Sequence, residues 1–253
     1  MIILDDVSIT LGGVQIIRNL NLKFQPSEMA LLVGPNEVIL QGLLSSVCGQ
    51  ITPNEGRIEI DGFPVLSDDA KRKMVCVFEK PLMNSFLTPR KNLEYYIKLR
   101  GIKSASSVEL DSYAKRLLLN EFVDSNVFEL GRGIVRGFEI LEALIVKPEY
   151  FVLCDFTASL FAPSIRKMPD ECSNLLQSGS GIISSTPSLE FACSLSNHIP
   201  IRVVVITEEG VLVDGSFNEI ENELSANMAA RIEPSRNQPK SHEIAKAIEA
   251  LEK

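Results

Sequence analysis

"LLVGPNEVILQGLLSSVCG", residues 31–49, places an apolar strand, a Gly-Pro-Asn turn and an apolar helix in direct succession. That is the frame of a phosphate-binding loop. A working loop, G-x-x-x-x-G-K-[ST], wraps phosphates with flexible glycines and a row of backbone N–H groups, while its lysine and hydroxyl supply charge and a magnesium ligand. Here the first glycine is Gly34, but Ile39 stands at the second glycine's place, Leu40 at the lysine's and Gln41 at the hydroxyl's. Gly34, Pro35 and Asn36 read as a strand-to-helix turn. Glu37 sets a carboxylate where a triphosphate would lie, and like charges ~4 Å apart repel by about 4 kcal/mol at an effective dielectric of ~20. Loss of the lysine removes charge-assisted bonds of about 1.5–3 kcal/mol. A helix N-terminus typically offers an anion less than ~2 kcal/mol. Tight nucleotide binding by this loop is not expected.

Around this stretch lie 253 residues, 45% of them hydrophobic, enough for a large α/β core or a core with a small insertion. A net charge of −8 without a long Lys/Arg run argues against a general nucleic-acid or anionic-membrane binder. The five cysteines (Cys48, Cys76, Cys154, Cys172, Cys193) form no C-x-x-C pair and sit mostly in apolar runs, the usage of reduced, buried thiols. With His198 and His242 as the only histidines, no metal cluster is expected. "MIILDDVSIT" reads as no secretory signal, and apolar runs such as "IRVVVIT" fall short of the ~20 residues that cross a bilayer. Work at a membrane is expected to go through a partner.

Alternation and β-branched residues predict strands near 2–10, 14–24, 28–33, 57–62, 73–78, 150–154, 182–186, 201–207 and 210–214. Helical periodicity fits 40–49, 89–100, 107–122, 133–146, 163–177 and 188–196. This pattern implies a mainly parallel, helix-covered sheet with antiparallel strands at the start. Residues 80–146 read as a helical subdomain inserted into a core made of 1–79 and 147–217. Residues 218–253 read as an extension, with a polar linker at 233–241 and a terminal helix at 241–253 striped by Ile244, Ile248 and Leu251. That helix either folds back on the core or docks a partner.

The succession of landmarks resembles the ATP-binding cassette (ABC) ATPases, a P-loop NTPase family, over roughly residues 1–217. "TPNEGRIEIDG" (52–62), "FEKPLMNSFLTPRKNLEYY" (78–96), "LGRGIVRGFEILEALIVKPEYFVLCDFTASL" (130–160) and "GIISSTPSLEFACSLSNHI" (181–199) match the family's framework in order. The resemblance implies an ABC-type fold and marks altered working positions. Leu11 stands at the adenine-stacking aromatic, Glu79 at the Q-loop glutamine, and Leu130, Gly131, Arg132, Gly133 and Ile134 at the signature L-S-G-G-Q. Cys154 stands at the Walker B aspartate, Asp155 at the catalytic glutamate, Phe161 at the D-loop aspartate and Pro187 at the switch histidine. A shifted register would make Asp155 the Walker B aspartate and Phe156 the base, which restores nothing. Magnesium wants hard oxygen ligands, and Gln41 and Cys154 replace a hydroxyl and a carboxylate. No cofactor is therefore expected beyond ATP and magnesium held weakly or through a partner subunit, and no hydrolysis by this chain alone.

The resemblance also implies a membrane-subunit docking cleft near Pro81, Phe86, Arg90, Tyr95 and Tyr96, residue types favoured at interfaces. Three functions follow. The first is an inactive cassette serving as scaffold or regulatory subunit, peripheral on the cytoplasmic or matrix-equivalent face of a membrane and bound to a transmembrane subunit, with or without a second cassette. The second is an asymmetric ATPase subunit contributing half of a composite site with an intact partner, in which Arg132 faces the partner's ATP rather than solvent. The third is an interaction module in an unrelated membrane assembly.

Overall fold

A computed structural model describes residues 1–34, 36–102, 107–155, 160–186, 189–207 and 210–220. Pro35, Phe156, Pro187, His242, the linker at 233–241 and the terminal helix at 241–253 lie outside the described residues. The chain opens with strands β1 (Ile2–Leu11) and β2 (Val14–Phe24), followed by β3 (Met29–Val33) and helix α1 (Glu37–Val47). Next come β4 (Glu55–Ile60), β5 (Phe63–Pro64), α2 (Asp68–Arg72) and β6 (Met74–Val77). Helices α3 (Pro89–Leu99), α4 (Ser107–Arg116) and α5 (Arg132–Val146) then run to β7 (Tyr150–Leu153), with no strand between among the described residues. The remainder is α6 (Ala162–Ile165), α7 (Met168–Gln177), β8 (Gly181–Thr186), α8 (Leu189–Ser196), β9 (Arg202–Thr207) and β10 (Gly210–Ser216).

Two sheets result. The first is antiparallel, in the order β2-β1-β4-β5, and the second has the order β10-β9-β3-β8-β7-β6. In the second, β3, β6, β7, β8 and β9 are parallel and β10 is antiparallel to β9. Strands β3, β7 and β8 are buried along their whole length, as expected of parallel strands covered on both faces. Alternation divides β3 between two cores. Met29, Leu31 and Val33 face the helical side with Leu93, Phe138 and Leu141, whereas Ala30 and Leu32 face α1 and the antiparallel sheet with Leu40, Leu43 and Leu44. The architecture is the one that the resemblance implies: a mixed sheet with helices, an N-terminal antiparallel sheet and an all-helical stretch between β6 and β7.

Local chemistry moves some predicted boundaries. The helix expected at 40–49 starts at Glu37, because Asn36 takes an extended backbone and its side chain accepts from the Val38 N–H, capping the helix three residues early. The helix expected over 107–122 stops at Arg116, since Leu118 has φ 58° and Leu119 donates back to the Ala114 carbonyl at 2.7 Å. A 3-10 turn then covers Asn120–Phe122. The helix expected at 163–177 breaks at Arg166–Lys167, because Pro169 has no N–H to continue the ladder and starts α7 instead. The short β5 and α2 carry too few residues for a periodicity to register.

Candidate functional site

The turn after β3 is shaped by close packing. A Cβ on Gly34 would lie 2.4 Å from the Ile206 carbonyl oxygen on β9, so the position admits only glycine whatever binds there. Asn36 closes the start of α1 on itself: its Oδ1 accepts from Val38 N at 3.0 Å, and its carbonyl accepts from Ile39 N at 3.1 Å. Glu37 lies exposed in the first turn of α1, where a carboxylate complements the positive helix end. Ile39 and Leu40 point inward, Leu40 at 2% exposure, into the core shared by α1, β3 and the antiparallel sheet. Leu11 packs against the same core from β1.

The next position links two parts of the fold. Gln41 Nε2 donates to Glu79 Oε2 at 3.0 Å, joining α1 to the segment after β6. Arg132 Nη2 reaches the Glu79 carbonyl at 3.4 Å, so this exposed guanidinium lies against its own chain. Gly131 is the N-terminal cap residue of α5 without a side-chain cap bond, and the Gly133 carbonyl accepts from Phe161 N at 3.2 Å. The Phe161 ring stands edge-on to Phe122, centroids 6.0 Å apart, an arrangement that ties the start of α6 to the helical stretch.

At the end of β7, Cys154 is buried at 3% exposure, and Asp155 takes φ 51°, a left-handed conformation that aspartate tolerates better than most side chains. Asp155 N donates to Ser185 Oγ at 2.9 Å. The residue that organises this region is Arg136, 2% exposed on α5. It donates to the carbonyls of Phe78 at 2.9 Å, of Asp155 at 2.6 Å and of Cys154, while its Nε is buried without a hydrogen-bond partner. Burial pulls its pKa down, opposed by the carboxylates of Asp155 and Glu139. The guanidinium therefore clamps the ends of β6 and β7 to α5.

One turn on, Glu139 Oε1 accepts from Leu82 N at 2.5 Å, and its Oε2 is buried without a partner. Burial pushes this carboxyl up to about 7, against the pull of the Leu82 and Met83 N–H groups and of Arg136. A folded pKa raised above its unfolded value means that the folded state binds more protons, so stability falls as pH rises from about 4.5 to about 7 and then levels. Glu139→Gln keeps the acceptor for Leu82 and removes the titration. Denaturant unfolding across this range is expected to show the variant gaining on the natural chain by up to roughly 3 kcal/mol; parallel curves would contradict it. Neither Arg136 nor Glu139 was singled out from the sequence, although charges inside "RGFEILEALIV" mark an otherwise apolar helix interrupted at a three-residue spacing.

The expected docking residues divide into two groups. Phe86 is 83% exposed, and Tyr95 is exposed on the same α3 stripe as Leu99. Exposed Leu82 precedes them, and exposed Phe128 donates its N–H to the Ser85 carbonyl, next to Phe86. Pro81 is half-buried, and half-buried Tyr96 donates its hydroxyl to the Leu82 carbonyl at 2.9 Å. Arg90, in contrast, forms ion pairs with Asp111 at 2.9 Å and Asp124 at 2.8 Å, bracing α3 against α4 and the segment after the 3-10 turn. Among the described residues no helix is long and apolar enough to cross a membrane, and no group of three or more His, Cys, Asp or Glu is placed to hold a metal ion.

The profile of the ABC transporter family matches residues 17–158. The taurine import ATP-binding protein TauB of Mesorhizobium japonicum is 25% identical over 219 residues, covering 83% of this chain and 84% of that protein. A solved ATP-binding subunit of an ABC transporter superposes with a TM-score of 0.81 over 100% of both chains at 17% identity. The cbiO1 protein of Clostridium perfringens, described as part of the ABC transporter complex cbiONQ, superposes with a TM-score of 0.68 over 98% of both chains at 18% identity.

Proposed function

The chain belongs to the ABC transporter family, and on that premise we propose that it is a non-hydrolysing cassette acting as a scaffold or regulatory subunit of a membrane transporter-like complex. The observation that carries this reading is the pair of neighbours on α1: Leu40 buried in the core, and Gln41 bonded directly to Glu79. Magnesium and a triphosphate do not fit these residues. An apolar side chain stands where charge is needed, the Asn36 side chain and carbonyl take up the first helical N–H groups, and the carboxylate of Glu79 is engaged by an amide. Cys154 offers a soft sulfur at the end of β7 instead of a hard oxygen. Degenerate Walker A and Walker B positions follow from this reading, and no step of phosphoryl transfer is assigned to the chain.

Titration of labelled ATP into the purified chain, with and without magnesium, is expected to give no saturable signal, and an ATPase assay no turnover. Leu40→Lys, which restores a single charge, is expected to leave the titration flat. Saturable binding by the natural chain, or turnover abolished by Asp155→Asn, overturns the reading. The partner proposed is a transmembrane subunit on the cytoplasmic face of the membrane, met by the exposed Phe86, Tyr95, Leu82 and Leu99 rather than by Arg90, whose charge is internally paired. Exposed Arg132 at the start of α5 favours a second reading, in which the chain completes a site on an intact partner cassette. In that case Arg132→Ala lowers ATPase activity of the purified native complex, and an unchanged rate removes this second reading.

A further inference from the structure

A cavity of about 480 Å³ lies at the end of the main sheet opposite to Gly34 and Cys154. Met29 opens β3 and Arg202 opens β9, and both line it. Met29, Ile199 and Ile201 are buried and give it an apolar floor, with half-buried Leu176 of α7 beside them. At ~30 Å³ per water the space equals about sixteen waters, far more than the gaps between well-packed elements, and so admits a set of side chains. The chain leaves the described fold beside this cavity. Phe217 N donates to the Ile201 carbonyl at 3.2 Å, and Phe217 and Ile220, the last described residue, share a core with Ile199 and Ile201. Further on, Ile244, Ile248 and Leu251 recur at i, i+4 and i+7, one face of a helix. We propose that residues 241–253 fold back as a helix onto this cavity and seat Ile244, Ile248 and Leu251 on Met29, Leu176, Ile199 and Ile201.

Reach and charge single out this occupant. As a coil, about 20 residues average roughly 25 Å end to end, so residues 221–240 let the stripe come back to a cavity beside the point where the described fold ends. A tether of that length sets a high effective concentration, against which a partner free in solution has to compete. The segment carries Glu243, Glu249 and Glu252 against Lys246 and Lys253, a balance that does not suit an anionic membrane surface. Docking takes an apolar helix face out of water and covers the starts of β3 and β9. None of the residues lining the cavity belongs to the helical stretch between β6 and β7, so a helix seated there does not occupy exposed Phe86 and Tyr95.

The sequence contains no tryptophan, so a single introduced one reports without background. In the full chain, Ile248→Trp is expected to give blue-shifted emission shielded several-fold from acrylamide, at a level independent of protein concentration. Adding Ser173→Arg, which puts a charge into the cavity wall, should return the emission to that of an exposed indole, whereas adding Phe86→Ala should not. Hydrogen exchange read by mass spectrometry provides a second measurement. Peptides covering residues 27–29 and 198–202 should exchange several-fold more slowly in the natural full chain than in the Ile244→Asp, Ile248→Asp double variant. An exposed indole together with equal exchange rates overturns the proposal. Shielding that Ser173→Arg does not relieve places the helix elsewhere, and shielding lost on dilution places it on a second copy; either result overturns it too. The inference stands apart from the transport reading, because no outcome depends on nucleotide binding or on a membrane partner.

Discussion

Arg136→Met is expected to lower stability by about 3 kcal/mol or more, measured as a shift of the urea or thermal midpoint. Methionine fills much of the volume, so the loss is not a cavity effect. It arises because the carbonyls of Phe78, Cys154 and Asp155 lose their shared donor inside the fold. An unsatisfied buried acceptor costs about 1–3 kcal/mol; the bond to the Cys154 carbonyl is buried and those to Phe78 and Asp155 are part-buried, so even with rescue by water at the latter two a clear deficit remains. Arg136→Lys should recover only part, since an ammonium on a flexible stem does not reproduce the planar fork. A midpoint unchanged in Arg136→Met would remove the clamp from the account of this region.

Leu40→Ala is expected to cost about 3 kcal/mol, by the transfer term plus the cavity left between α1 and the sheet. Leucine at 2% exposure among Leu43, Leu44, Ile39 and the β3 side chains has little room to collapse into. Urea denaturation reads the change. Were position 40 still a ligand-facing site, the same truncation would leave stability nearly untouched, and a loss under about 0.5 kcal/mol would sink the packing role.

The fold was legible because its signals are long and repeated. Alternation in residues 2–24 and the all-apolar β3 and β7 pointed to a mainly parallel sheet with antiparallel strands at the start, though not to their division into two sheets, and the apolar stripes of α3 and α5 pointed to the helical stretch between β6 and β7. Boundaries failed where one residue decides. Asn36 advances α1 by a side-chain bond, Leu118 ends α4 by a left-handed turn, and Pro169 splits the helix that periodicity ran together. The identities at the site could be read from spacing, but their interactions could not. No spacing rule joins Gln41 to Glu79 or turns Phe161 onto Phe122, because both contacts are made across elements far apart in the chain. Arg136 and Glu139 were missed because a charge in an amphipathic helix is normally solvated. Here their burial follows from the carbonyls at the ends of β6 and β7 and the N–H of Leu82, and these come together only on folding.

Gly34 has a bearing on how such sequences are sorted. Because the Ile206 carbonyl alone forbids a side chain there, natural selection for a folded chain retains this glycine after any ligand has gone. A pattern search that weights it therefore scores backbone packing along with phosphate binding, whereas positions 40 and 41 carry the chemistry on which the two differ.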